Sequence, residues 1–215
     1  MSTTDTAAGD GAGRRDALAE RLLTSLIQAN ELASVWLGLR LNLYGTLRDQ
    51  GPATVAELAE RAGIDARYAR EWLEQQAVAG LLEVEDAAAD AGARRYRLPQ
   101  AHAEVLLDAD HPAHAGATAW WMGSLAQVLP RIPGIYRSGD GLPYPEYGAD
   151  ARLAIANFNR PMFVNDLAGW FAGVPELQAR LEASGARVLD AGCGIGWSSI
   201  SLARAFPSLR VDGID

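Results

Sequence analysis

Apolar residues recur at helical spacing through the first part of the chain. A weak stripe over Asp16–Gln28 predicts one helix, and a stronger stripe over Glu31–Gln50 predicts a second helix that Gly51 and Pro52 end. Residues 1–13 are small and polar, which predicts a disordered tail. The apolar stripe of the second helix is expected to cover the chain's own core. The helix is also long enough to contact another subunit. Its apolar positions are Leu32, Val35, Trp36, Leu39, Leu43 and Leu47.

Two short amphipathic helices follow, each with its own start signal. Thr54 and Glu57 have the spacing of a capping box, in which each side chain bonds the other residue's amide. Asp65 is a good N-cap for the next helix, and Gly63 ends the one before it. Two helices joined by so short a turn predict a helix-turn-helix.

The pattern then changes to strict alternation, which predicts two strands. Leu82 and Val84 alternate with glutamates, and residues 95–98 alternate arginine with Tyr96 and Leu98. Pairing these strands would set Glu83 and Glu85 against Arg95 and Arg97, a favourable cross-strand arrangement. The segment from about Leu32 to Leu98 is therefore predicted to be a winged helix-turn-helix.

The middle of the chain is predicted to be helical with one linker. Helical patterns cover Ala101–Gln127, with an interruption at His111-Pro112, and Asp150–Phe171, where Pro161 is expected to break or kink the helix. Between them, Pro130–Tyr147 is rich in proline and other turn residues and predicts a linker. A last short helix is predicted over Pro175–Ser184.

The final stretch combines a strand, a glycine turn and a helix. Val188 and Leu189 begin an apolar run typical of a parallel strand buried on both faces. Three alternate glycines follow, then a helix over Trp197–Phe206 and a second strand over Val211–Asp215. Such a turn leaves amide N–H groups free to face a ligand, and glycine lets the ligand approach the backbone. The glycines are Gly192, Gly194 and Gly196.

The glycine spacing distinguishes this turn from the dinucleotide fingerprint G-x-G-x-x-G, because the third glycine comes one residue early. A nicotinamide-dependent oxidoreductase is therefore disfavoured. With the preceding acid, Asp190-x-Gly192-x-Gly194-x-Gly196 resembles the first motif of the Rossmann-like (class I) S-adenosylmethionine-dependent methyltransferases.

This resemblance implies S-adenosyl-L-methionine as the cofactor. It implies that the glycine loop wraps the methionyl part, and that Asp190 supports the loop and bonds the cofactor's amino group. A second acid, at the end of the next strand, would bind the ribose hydroxyls, and Asp215 lies 19 residues beyond Gly196 (215 minus 196). The predicted cofactor-binding residues are Asp190, Gly192, Gly194, Gly196 and Asp215. The catalytic residue stays unassigned, and the sequence contains no metal-ligand cluster.

Two further segments resemble a group of bacterial small-molecule methyltransferases with a winged amino-terminal domain. Residues 67–73 and 79–82 resemble that domain, which serves dimerisation and forms a wall of the substrate site. Residues 138–148 resemble its connecting loop, which makes Tyr144 and Tyr147 candidates for a lid over the cofactor. The partners this implies are a small-molecule methyl acceptor and a second copy of the chain, bound through the amino-terminal helices.

Charge bears on the alternative, a winged-helix transcriptional regulator that binds DNA. From Pro52 to Pro99 there are six arginines and nine acids, and the whole chain has a net charge of -8. Phosphate contacts supply most of the affinity for nucleic acid, so this balance disfavours DNA and anionic membranes alike. The single cysteine, Cys193, fits a reducing cytoplasm and is interpreted as filling a tight turn rather than as a reactive thiol.

The predicted fold class is mainly α with a winged helix-turn-helix domain, followed by the incomplete β-α-β start of a Rossmann-like methyltransferase sheet. The domains are a tail at 1–13, a winged and dimerisation domain at 14–110, a helical linker and substrate-side segment at 111–184, and the cofactor-binding start at 185–215. Only 29 residues (187 to 215) form the sheet unit. The chain is therefore expected to be a carboxy-terminally truncated enzyme, inactive alone, in the cytoplasm.

Overall fold

The computed structural model describes the backbone of residues 4–215 and the side chains of residues 11–215. The first helix, α1, runs over Thr4–Arg40, and α2 over Leu43–Gln50. The two predicted amino-terminal helices are thus divided differently, because the chain breaks at Asn42, which has a φ of 54°. Residues 4–13, predicted to be disordered, are the start of α1, since an established helix propagates cooperatively. Residues 1–3 of that prediction lie outside the described residues.

The winged module has the predicted elements: α3 over Val55–Ala62, α4 over Ala66–Val78, β1 over Glu83–Val84 and β2 over Tyr96–Arg97. The capping box is confirmed, because the Thr54 amide donates to Glu57 Oε2 at 2.8 Å and the Glu57 amide to Thr54 Oγ1 at 3.3 Å. Asp65 Oδ1 accepts from the Arg67 amide at 2.9 Å. β1 and β2 pair antiparallel, and the predicted cross-strand ion pairs join Glu83 to Arg97 and Glu85 to Arg95.

The core of this module lies between α1, α2 and α4. Tyr44 and Trp72 meet edge to face with ring centres 5.0 Å apart. The Tyr44 hydroxyl donates to the buried Gln76, and burial raises the pKa of Tyr44. The Trp72 indole donates to the Ser34 carbonyl at 3.1 Å. Polar atoms in this core are thus paired, which a buried hydroxyl or amide requires.

The middle of the chain is more helical than predicted. It contains α5 over Gln100–Leu107, α6 over Ala117–Val128, α7 over Ile132–Ser138, α8 over Gly148–Asn165, α9 over Leu167–Ala172 and α10 over Pro175–Glu182. Two 3₁₀ helices, Leu129–Arg131 and Tyr144–Tyr147, flank α7 within the predicted linker. Prolines stand at the first positions of these turns, where a missing N–H removes no helical bond. α8 continues through the buried Pro161 rather than breaking there.

The last elements form a parallel β-α-β unit: β3 over Arg187–Ala191, α11 over Trp197–Ala205 and β4 over Arg210–Ile214. α11 and α9 cover one face of the two strands. The expectation that β3 is buried on both faces is wrong: Leu189 is 62% and Ile214 56% exposed. Among residues 4–215 no element packs on the face of the two strands that carries Leu189 and Ile214. The core beneath α11 consists of Leu167, Leu181, Leu202, Phe206 and Leu209.

None of the helices in the described part of the chain combines the length and hydropathy that a bilayer-spanning helix needs.

His114 provides a test of packing in the connection between α5 and α6. Burial lowers the pKa of its imidazole below the ordinary value of 6.5, and its Nδ1 has no hydrogen-bond partner in the described part of the chain. The unfolded chain therefore binds this proton more readily than the folded chain, so stability falls as the pH drops below 6.5. We expect His114→Gln to weaken that fall, measured by denaturant unfolding between about pH 7.5 and about pH 5.5.

The matched control is His111→Gln in the same connection, whose Nδ1 already accepts a bond from the Ala113 amide at 3.1 Å. Equal loss of stability with pH in wild type and His114→Gln would contradict the burial of this imidazole.

Candidate functional site

The loop over residues 192–196 joins β3 to α11 with three glycines in the left-handed region. Gly192, Gly194 and Gly196 have φ values of 80°, 55° and 88°. Side chains are strained in this region, so glycine suits all three positions. A Cβ at any of them would have no neighbour within 4 Å, so the space above the loop is open.

β4 anchors this loop from one side. The Gly192 and Cys193 amides both donate to the Ile214 carbonyl, at 2.7 and 3.1 Å. A Cβ on Gly213 would lie 2.9 Å from Cys193 Sγ, so the thiol packs closely against β4. Cys193 therefore fills the turn, as the sequence predicted.

Asp190 ties the end of β3 to the first turn of α11. Its Oδ2 accepts hydrogen bonds from Ser198 Oγ at 2.5 Å and from Ser199 Oγ at 2.7 Å. These bonds brace the two ends of the loop. The two serine hydroxyls were not singled out in the sequence, although their spacing places both in the first turn of a predicted helix.

The two acids near the end of the chain differ in their partners. Asp215 Oδ1 accepts from the Gly194 amide at 3.0 Å, which places this carboxylate beside the glycine loop. Asp212 instead pairs with Arg187 at 2.7 Å and Arg210 at 3.3 Å, and the Arg187 hydrogen bond lowers its pKa most. Asp215 is therefore the acid available to a ligand at the loop.

A cavity of about 450 Å³ opens where β3 and β4 end. Among the predicted site residues, Gly192, Gly194 and Asp215 line it, whereas Asp190 and Gly196 do not. Its volume is within the range of small-molecule sites. The remaining lining residues are Tyr144, Arg152, Ile155, Ala156, Asn159, Phe163, Cys193, Ile195, Trp197 and Ser198.

The opposite wall of the cavity comes from α8, which sequence reasoning did not connect with the site. Arg152, Asn159 and Phe163 are seven and four residues apart, about two turns and one turn of helix, a spacing that is equally typical of a face packed against the core. Arg152 has no ion pair or hydrogen bond among the described residues, so its charge is available to an anion. Tyr144 also lines the cavity, whereas Tyr147 does not; its carbonyl accepts from Ser124 Oγ at 2.8 Å.

The histidines lie elsewhere. His102 Nδ1 is 2.9 Å from the Leu81 carbonyl, and His111 lies 3.9 Å from Glu104. None of the three histidines lines the cavity. Over the described residues, no group of three or more His, Cys, Asp or Glu side chains could hold a metal ion.

Together these groups suit a ligand that carries both an anion and hydroxyls. The first turn of α11 has no capping side chain, so its amide N–H groups remain available to the cavity through Trp197 and Ser198. Arg152 adds a full positive charge. Asp215 offers carboxylate oxygens, which can accept both O–H groups of a vicinal diol. The residues present therefore fit an amino-acid-bearing nucleoside such as S-adenosylmethionine.

A protein-family model matches the amino-terminal part of the chain. Residues 32–107 match the model of the Rv2258c-like winged HTH domain. No curated protein matches the sequence significantly.

Solved structures match nearly the whole chain. The mitomycin 7-O-methyltransferase MmcR is 19% identical with a TM-score of 0.64, and the match covers 94% of this chain and 59% of that one. PigF, solved with SAH, is 22% identical with a TM-score of 0.59, covering 94% and 58%. Human N-acetylserotonin methyltransferase, solved with SAM, is 20% identical with a TM-score of 0.57, covering 91% and 58%.

The chain therefore spans under two thirds of the length of these structures. Residues 32–107 form a winged helix-turn-helix domain. Where the chain aligns with these methyltransferase structures, it has the same fold.

Proposed function

We propose that this chain carries the cofactor-binding part of an S-adenosylmethionine-dependent methyltransferase that acts on a small molecule. One observation carries the proposal: a single cavity brings together the glycine loop, the carboxylate of Asp215 and the guanidinium of Arg152, which has no partner among residues 11–215. The shared fold with methyltransferases solved with SAM or SAH supports it.

Different residues of the cavity would hold different parts of the cofactor. Asp215 would hold the ribose hydroxyls, while Arg152 and the first-turn amides of α11 would hold the methionyl carboxylate. Asp190 would act mainly as a brace, because its Oδ2 already accepts two serine hydroxyls. When bound, the cofactor supplies a methyl carbon made electrophilic by the adjacent sulfonium.

For such a reaction the protein's main task is alignment, since an attacking atom held in line with the methyl group reacts far faster than one in solution. Ile155 and Phe163 contribute apolar surface to the wall of the cavity. No general base is assigned among the described residues.

The amino-terminal helices are proposed to form a homodimer. Leu18, Leu22 and Leu26 repeat every four residues along α1, as do Leu23 and Ile27. All five are between 47% and 60% exposed. Apolar surface of this extent on a helix is typical of an interface between subunits.

The DNA-binding alternative has less support, because three of the module's arginines form ion pairs within the module. Arg70 Nε lies 2.8 Å from Glu74, Arg95 binds Glu57 at 2.9 Å and Arg97 pairs with Glu83. An arginine that is paired with a glutamate is less available to contact a DNA phosphate. A shift assay with duplex DNA at low salt tests the alternative, and salt-dependent binding there would favour a regulator over an enzyme.

Calorimetry separates the methyltransferase from the oxidoreductase reading. We expect the 215-residue chain to bind S-adenosylhomocysteine weakly and not to bind NAD. Since two strands bound the cavity and one sheet face is open, we expect no turnover by this polypeptide alone. Binding of NAD in preference to S-adenosylhomocysteine would overturn the proposed function.

A further inference from the structure

Trp197 connects the glycine loop to α8 through an arginine. It is the first residue of α11, directly after Gly196, and it lines the cavity. The guanidinium carbon of Arg160, on α8, lies 3.6 Å from the centre of a Trp197 ring. A planar guanidinium this close to an aromatic face forms a cation–π stack. Arg204, on α11 itself, lies farther away at 5.9 Å.

Arg160 is itself held by the connection that follows α5. Its Nε donates to Asp110 Oδ1 at 2.6 Å, and Asn165 Nδ2 donates to the Asp110 carbonyl at 2.8 Å. The Arg160 side chain is only 24% exposed, so this ion pair is partly shielded from water. Asp110, Arg160 and Trp197 therefore form a continuous chain of contacts, which we name the Asp110–Trp197 relay.

The glycine loop needs such a constraint. With three glycines in five positions, its backbone has little conformational preference of its own. Asp190 braces the loop through serines 198 and 199, but those bonds leave the Trp197 ring unrestrained. A loop that changes position also changes the shape of the cavity that Trp197 lines.

We propose that Arg160 is a positioning residue: by stacking on Trp197 while bound to Asp110, it couples the connection leaving the winged module to the shape of the glycine loop. The coupling between segments does not depend on a cofactor. Its effect on cofactor affinity rests on the proposed function.

The test is hydrogen exchange of the 215-residue chain without ligand, followed over residues 192–201. Arg160→Gln removes the charge and the stack, and we expect exchange there to rise on the order of tenfold. Arg160→Lys keeps the charge but not the planar stack, so partial rescue is expected. Arg70→Gln is the matched control, since it breaks an exposed ion pair with Glu74 in the winged module.

A rise confined to residues 192–201 supports positioning, whereas a rise throughout 148–215 would show a general structural role and overturn the proposal. Exchange equal to that of Arg70→Gln would also overturn it. Should Arg160→Gln not fold, Asp110→Asn tests the other contact of the Asp110–Trp197 relay: it removes the ion pair that holds the Arg160 guanidinium, and a smaller rise in exchange over residues 192–201 is expected.

A second readout is the Kd for S-adenosylhomocysteine, expected to rise on the order of tenfold in Arg160→Gln. Wild-type chain that does not bind this ligand would defeat the proposed function. The hydrogen-exchange comparison without ligand would still test whether the Asp110–Trp197 relay positions the glycine loop.

Discussion

Valine in place of Gly194 is expected to weaken the binding of S-adenosylhomocysteine strongly. Gly194 has a φ of 55°, a region that a β-branched residue adopts only under strain. The new side chain would also project into open space that the ligand is proposed to fill. Both effects act on the loop, so we expect calorimetry to show affinity lowered by on the order of a hundredfold.

Gly185→Val separates strain from obstruction. Gly185 has a φ of 77° and equally open surroundings, but it lies before β3, at the end away from the cavity. Its substitution is expected to lower stability by about 1 kcal/mol while leaving affinity within about threefold. Equal loss of affinity in both variants would mean that general destabilisation, not the loop, accounts for the effect. Gly194→Ala is the milder variant if valine prevents folding.

The combined substitution Leu22→Asp with Leu26→Asp is expected to halve the molecular mass in solution. Both side chains are well exposed on α1 and would become buried in the proposed dimer. Placing two carboxylates in an apolar interface is strongly unfavourable, because each loses its hydration without gaining a partner. Light scattering coupled to gel filtration measures the mass directly.

Val78→Asp serves as the control, since Val78 is 90% exposed but lies on α4, outside the proposed interface. It should leave the mass unchanged. A wild-type chain that is already monomeric at micromolar concentration would remove the dimer proposal.

Local signals in the sequence predicted the winged module well. The capping box of Thr54 and Glu57, the N-cap at Asp65 and the alternation around Tyr96 each depend on residues close together in the chain. Such signals act within one or two turns, so they can be identified from sequence alone. The strand-turn-helix order around Gly192 was recognisable for the same reason.

Features that depend on distant segments were missed. The apolar stripe of the first helices continues across Asn42, so the pattern contained no sign that the chain would break there. Arg152 and Asn159 became site residues only because α8 packs beside α11. The exposure of Leu189 likewise depends on which elements cover the sheet, and a strand's own apolar residues do not determine that.

The prolines of residues 130–147 show a different limit of sequence patterns. Their number predicts turns and a linker, and Pro130, Pro133 and Pro145 each stand where a helical turn begins. At that position the residue favours a helix start, because its fixed φ suits the first turn. Composition alone does not distinguish the two cases.

Hydrogen exchange with and without S-adenosylhomocysteine is the sharpest test of a cofactor site at the glycine loop, because it reports both binding and its location. We expect slower exchange in the ligand's presence over residues 192–199, and no change over α4 of the winged module. Absence of any protection, or protection confined to residues outside the glycine loop, would contradict the claim that this cavity holds the cofactor.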